Sequence, residues 1–153
     1  MRITSKWQQD FNVRVDFLEP VRLRDIEQHK NFLQRSGVYF LTHGQPPAGP
    51  HKVDGEHVFY IGKAGRQKLW TRARLHWQTL TDAKTSTGND RTGNSKAFKA
   101  WRARPGFDPN HVWFVGGIVE HGHPWLVACA ESFLLEHFRK VHGRLPYCNT
   151  ARG

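Results

Sequence analysis

The chain is short of cysteine, of acidic residues and of long apolar runs. Its 153 residues include only two cysteines, Cys129 and Cys148, too few for a disulfide scaffold. No apolar run approaches the roughly 18 residues of a membrane span. Met1 to Phe11 lacks the apolar stretch of a secretory leader. These absences predict a soluble, cytoplasmic, single-domain protein with no membrane partner. Asp and Glu number 13 against 23 Lys and Arg, so the formal net charge is +10 before 10 histidines are counted. That excess points to a polyanionic partner, nucleic acid above all. The bland alternative is a solvated basic surface that only aids solubility. A hydrophobic content of 38% with 6 Trp and 10 Phe argues against a disordered chain.

The charge is not spread evenly. Residues 63–105 carry 11 basic and 2 acidic side chains, while residues 106–153 carry 4 of each. The basic stretch also holds Trp70, Trp77, Phe98 and Trp101. Cations interleaved with aromatics suit a phosphate backbone with bases to stack on. Trp77 reads instead as a core anchor, because it shares an apolar helical face with Leu69, Ala73, His76 and Leu80.

Periodicity predicts the elements. Asn12 to Leu18 alternates as a strand. Pro20 opens a helix whose apolar face, Leu23, Ile26 and Leu33, runs to about Arg35. Ser36 to Leu41 and His57 to Gly62 read as two strands of a hairpin, joined by a proline-containing loop from Gly44 to Gly55. A helix follows from Gln67 to about Leu80. Residues 81–95 are polar and read as a mobile loop, with Asn94 or Ser95 capping a short basic helix, KAFKAWRAR, that Pro105 ends. His111 to Glu120 is a third strand with a bulge or bend at Gly116-Gly117. Pro124 opens a helix to about His142, stopped by Gly143. There is no internal repeat. The fold class is α+β, with a small three-stranded antiparallel sheet flanked by helices. Residues 1–35 are an N-terminal strand-helix extension packed on a core of residues 36–153. Residues 78–110 insert in that core.

Several residues line up along this order. Gly37-Val38-Tyr39 sits on one strand and Tyr60-Ile61-Gly62 ends the next, followed by Lys63. Arg72 and His76 are four apart on the following helix and share a side. Glu131 lies in ESFLL on the last helix, and Pro146-Tyr147-Cys148-Asn149 closes the pattern. Glu131 falls at the edge of the apolar stripe, beside Val127 and Phe138, where a carboxylate is costly without a cation. Its rival Glu136 falls on the polar face, four before Lys140, as a surface ion pair.

In this order the motifs resemble the GIY-YIG nuclease superfamily over about residues 36–150, as a single-domain member. The namesake motifs read GVY (37–39) and YIG (60–62). The resemblance implies a divalent-metal-dependent endonuclease hydrolysing phosphodiester bonds in DNA, single-stranded, duplex or branched, with RNA left open. One Mg²⁺ or Mn²⁺ is implied, with Glu131 its sole protein carboxylate. Arg72, preferred to Arg74, would neutralise charge on the phosphate. Tyr39 or Tyr60 would orient or deprotonate the attacking water, with neighbouring cations such as Lys63 lowering the phenol pKa. His76 would bind phosphate or relay a proton. Gly62, Lys63, Arg74, Lys96, Lys99, Arg102 and Asn149 complete the expected substrate-binding set. Asn149 is read as positioning the final segment or a water, and the segment 81–104 as the substrate-contacting loop and helix. The alternative function is a non-catalytic nucleic-acid-binding module that retains the fold. A location near the nucleoid follows if DNA is the substrate. Structural zinc on His121, His123, Cys129, His137, His142 or Cys148 is not expected, since their spacing matches no compact Cys/His pattern.

Overall fold

The computed structural model describes residues 2–4, 12–47, 53–81 and 95–149. At its centre are two strands built from β-branched and aromatic residues, β4 (Gly37–His43) and β5 (Val58–Ala64). They pair antiparallel as the expected hairpin. The third expected strand, β6 (Val112–Val119), pairs along the other side of β4. Three more strands extend this sheet beyond the three expected in it, among them the strand expected from Asn12 to Leu18. β2 (Asn12–Phe17) pairs with β6, β1 (Arg2–Thr4) pairs with β2, and β3 (Val21–Arg22) also pairs with β6. All pairs are antiparallel, in the order β1-β2-β6-β4-β5. The N-terminal segment is thus woven into the sheet. Its inward residues Val13, Val15 and Phe17 pack in the same core as Phe40 and Val115.

The helix expected from Pro20 to Arg35 is not an α-helix. Val21 and Arg22 pair with β6, and the chain then makes 3-10 turns over Leu23–His29 and Asn31–Leu33. Leu23 and Ile26 are three residues apart and both buried, a spacing that eclipses on the three-residue turn of a 3-10 helix. Asp25, at φ −98° and ψ 16°, departs from helical geometry between them.

No bulge interrupts β6 at Gly116-Gly117. Gly116 pairs with Tyr39 and Gly117 with Val38 in unbroken register. The glycines serve close approach instead. A Cβ on Gly37 would collide with the Gly117 carbonyl oxygen, and one on Gly117 would lie 2.9 Å from Val15 Cγ1. The bulge lies on β5: Leu41 pairs with Tyr60 and Thr42 with Val58, leaving Phe59 extra. Phe59 and Tyr60 therefore both pack on Phe98, at 6.3 and 4.9 Å between ring centroids.

Helices cover both faces. On one lie α1 (Leu69–Thr81) and α2 (Ser95–Arg102), with Leu69, Ala73, Leu80 and Phe98 meeting Tyr39, Leu41 and Phe114. On the other lies α3 (Pro124–His142), whose Val127, Ala130, Leu134 and Phe138 meet Val38, Phe40, Ile61 and Val115. Each large side chain buried this way stabilises the fold by roughly 1.5–3 kcal/mol. Pro124 opens α3 and Gly143, at φ 70°, ends it by donating to the Arg139 carbonyl at 2.8 Å. The expected loop at 81–95 falls, between residues 82 and 94, outside the described residues. No helix among the described residues is long and apolar enough to cross a membrane.

Candidate active site

Tyr39 occupies the middle of β4, with helices over both faces of the sheet, and is fully buried. Its ring stacks on Phe114 at 5.0 Å, and its hydroxyl meets His76 Nε2 at 2.6 Å. Arg72 Nε donates to the same hydroxyl at 3.4 Å. This arrangement requires the glycine opposite Tyr39 on β5. A Cβ on Gly62 would lie 2.6 Å from Tyr39 Cζ, Tyr39 Oη and Tyr60 Cε1.

Burial sets the charge states of this cluster. It pushes the Tyr39 phenol well above its ordinary pKa, Tyr60 beside it adds to the rise, and the Arg72 charge does not offset it. The resemblance implies a lowering by neighbouring cations; a phenol taken out of water keeps its proton instead. His76 is held well below its ordinary pKa, first by burial and then by the Arg72 charge. It is therefore a neutral imidazole at pH 7. Its Nδ1 is buried with no hydrogen-bond partner among the described residues. His76 is closed off from solvent: Tyr60 packs on its ring at 5.0 Å and Phe98 at 4.7 Å.

In front of this cluster opens a cavity of about 690 Å³ along β5 and the start of α3, lined among others by Tyr60, Lys63, Arg72 and Glu131. These four come from three elements. The bulge turns Tyr60 to the α1 side, α1 supplies Arg72, and Lys63 points to the α3 side. There Lys63 Nζ meets Glu131 Oε1 at 3.5 Å. The Glu131 side chain is 19% exposed. Desolvation raises its pKa, against the lowering effect of Lys63 and Arg72. Glu136 is 44% exposed and pairs with Arg139 at 2.8 Å, not with Lys140. The edge of the apolar stripe thus separates the two glutamates as the helical projection implies.

Other residues of the expected set lie elsewhere. Arg74 Nε faces Glu27 at 3.7 Å, and its guanidinium lies over Trp70. Lys96 and Lys99 are exposed on α2. Arg102 donates to the Thr79 carbonyl at 2.7 Å and so ties α2 to the end of α1. Asn149 turns its amide to the edge of β5, accepting from the Ile61 N–H at 2.9 Å and donating to the Ile61 carbonyl at 2.8 Å. It acts there as a substitute for a neighbouring strand, and both ends of its amide are engaged by protein.

Two cavity residues escaped the sequence reading: Arg66 and Trp125. Trp125 is 53% exposed although it follows the proline that starts α3. A large aromatic in the first turn, outside the apolar stripe, was the available signal. Arg66 sits in the basic run directly after Gly65, with no periodicity to single it out.

The one carboxylate in the lining of this cavity, Glu131, is the residue available to a hydrated divalent ion. Glu131 is desolvated enough to disfavour its charge, yet opens onto the cavity, and a hard cation with most of its water shell needs only one such ligand. Among the described residues no group of three or more His, Cys, Asp or Glu gathers to hold a metal by protein alone. No protein-family model, curated protein or solved structure matches this chain.

Proposed function

We propose that this chain is a divalent-metal-dependent endonuclease of GIY-YIG type that hydrolyses phosphodiester bonds in DNA. The observation that carries the reading is the meeting of Tyr60, Lys63, Arg72 and Glu131 at one open cavity. Those side chains suit a phosphodiester. Arg72 offers a planar set of donors to phosphate oxygens. Lys63 offers a point charge beside them. Tyr60, at the cavity wall, orients the attacking water through its hydroxyl. Glu131 would hold one Mg²⁺ or Mn²⁺, which when bound supplies positive charge to the phosphate and acidifies water.

Tyr39 and His76 stand behind these groups as positioning residues. Their hydrogen bond anchors the phenol that Arg72 Nε contacts. A guanidinium fixed before substrate arrives needs no reorganisation in the transition state.

The test is cleavage of single-stranded, duplex and branched DNA, and of RNA, by wild type and Glu131→Gln, in Mg²⁺, Mn²⁺ or EDTA. The expected result is metal-dependent cutting by wild type alone. Equal cutting by both proteins refutes the role of Glu131. Salt-sensitive binding without cutting of any substrate replaces the proposal with a non-catalytic nucleic-acid-binding module.

A further inference from the structure

At the other end of the β4–β5 hairpin lies a second cavity, of about 270 Å³, that the proposed chemistry does not use. Two stacked ring pairs line it. Trp101 and Tyr147 stack at 5.3 Å and 24°, and His43 and Phe107 at 5.0 Å and 25°. Trp101 lies flat on the buried Phe59 at 5.0 Å and 12°, so the platform is fixed to the core. Arg104 places its guanidinium 4.2 Å from the Trp101 centroid and 5.2 Å from that of Tyr147. Arg144 sits 3.9 Å from the Tyr147 centroid. Tyr147 is nevertheless 54% exposed.

A half-exposed tyrosine at the outer end of a column of rings, with two guanidinium groups close to its own ring, is no core anchor. Planar aromatic walls select a ligand with a flat π face; Arg104 in the lining and Arg144 against Tyr147, two cations to the one lining carboxylate, Glu56, select one with an anion attached. A nucleotide has both. A base inside a duplex has its faces covered by its neighbours, so only an unpaired base can enter. We propose that this cavity receives an unpaired nucleobase of the strand that the first cavity engages. The proposal rests on the reading of the chain as a nucleic-acid enzyme and adds a requirement to it: the substrate carries an unpaired base near the cut.

The spacing is set by β5. Val58 lines this cavity and Lys63 the other; with the bulge at Phe59 they stand opposite Thr42 and Val38, four residues apart on β4, a span of about 13 Å. A stacked strand advances roughly 3.4 Å per nucleotide. The bound base then lies about four nucleotides from the scissile phosphate, or fewer if the strand is stretched.

The experiment is a binding titration of the full chain in EDTA at fixed salt, with three labelled probes. They are an oligothymidylate, an abasic strand of the same length and a duplex. Wild type should bind the oligothymidylate more tightly than the abasic strand. Tyr147→Ala should weaken oligothymidylate binding by roughly 5- to 160-fold, the span of one base–aromatic stack. It should leave the abasic strand and the duplex unchanged, and these controls also report an intact fold. Tyr147→Phe should keep the wild-type affinity. An equal loss on all three probes overturns the proposal, as does no loss on any. If no metal supports cleavage but the Tyr147 pattern holds, the nuclease reading fails and the base site stands. If cleavage is observed and base-dependent binding ignores Tyr147, the base site alone fails. Absence of binding to all three probes overturns the base site, and the cleavage assay then decides the nuclease reading by itself.

Discussion

Tyr39 Oη and His76 Nε2 lie 2.6 Å apart, and both side chains are sealed from solvent. A hydrogen bond in such a place is costly to break on one side, because the remaining partner cannot turn to water. Tyr39→Phe should therefore lower stability by about 1–3 kcal/mol. Thermal melting reads this as a drop of roughly 2–10 °C at this chain size. Tyr60→Phe removes the hydroxyl at the cavity wall and should cost about 10²-fold or more in kcat. Melting curves set beside single-turnover cleavage separate the two tyrosines. A larger melting loss for Tyr60→Phe than for Tyr39→Phe would reverse the assignment.

Gly62 faces Tyr39 across the hairpin, and its missing side chain is the space that the phenol fills. In Gly62→Ala the new methyl must displace two rings, Tyr39 and Tyr60, that are already packed against His76. The expected cost is about 1–3 kcal/mol from overpacking, with loss of cleavage because Tyr60 is pushed off its position. Solvent denaturation and a cleavage assay check the two effects in one preparation.

Much of this fold can be read from residues alone, and the reasons are local. Val38-Tyr39-Phe40-Leu41 and Val58-Phe59-Tyr60-Ile61 are dense in strand formers, and proline and glycine bracket α3. The 3-10 turns cannot be read this way. Leu23 and Ile26 are three apart, which an α-helix and a 3-10 helix both satisfy. Pairing of Val21 and Arg22 with β6 decides between them, and that partner is more than ninety residues away in the chain. The candidate site divides in the same manner. The order of Tyr60, Lys63, Arg72 and Glu131 along the chain signals one cluster. The burial of Tyr39 and His76 depends on Phe98 and Phe114, which no motif ties to them.

The neutral state of His76 gives a pH signature. Its folded pKa is held well below the ordinary value, and an unfolded histidine titrates near 6.5. Its contribution to stability is present above that unfolded value. It is lost as pH falls through the depressed folded one, because the unfolded chain binds the proton first. His43, lowered by burial, adds in the same direction. Urea midpoints should fall as pH is taken from about 6.5 to 5, by at most roughly 1.4 kcal/mol per pH unit for each such group. His76→Gln should flatten that slope whatever its stability at neutral pH. An unchanged slope would show that other groups govern acid unfolding.

Arg72 and Arg74 are two residues apart but face different surroundings. Arg72 reaches Tyr39 and lines the cavity, while Arg74 faces Glu27 and Trp70. Arg72→Lys keeps the charge and loses the planar donors, so kcat/KM should fall by about 10²-fold or more. Arg74→Ala should change it by less than about fivefold, the worth of an exposed ion pair. Comparable losses in the two variants would mean that the phosphate path runs over the outer face of α1.

Glu131 sets function against stability in one side chain. Desolvation raises its pKa above the ordinary glutamate value, despite Lys63 and Arg72. A group raised in this way favours the fold fully below its unfolded pKa, and that contribution is lost as pH rises through the folded value. At neutral pH the ionised carboxylate therefore costs stability. Glu131→Gln should abolish cleavage and raise stability in EDTA at pH 7, by about 0.5–2 kcal/mol. The gain should shrink to nothing near pH 4, where the wild-type carboxyl is protonated. Mg²⁺ or Mn²⁺ should raise the wild-type melting temperature with metal concentration and leave that of Glu131→Gln unmoved, since only a folded chain with the carboxylate binds the ion. A metal response of equal size in both proteins would take the ion away from Glu131. A Glu131→Gln variant less stable than wild type in EDTA would show that the Lys63 ion pair outweighs the desolvation of the carboxylate.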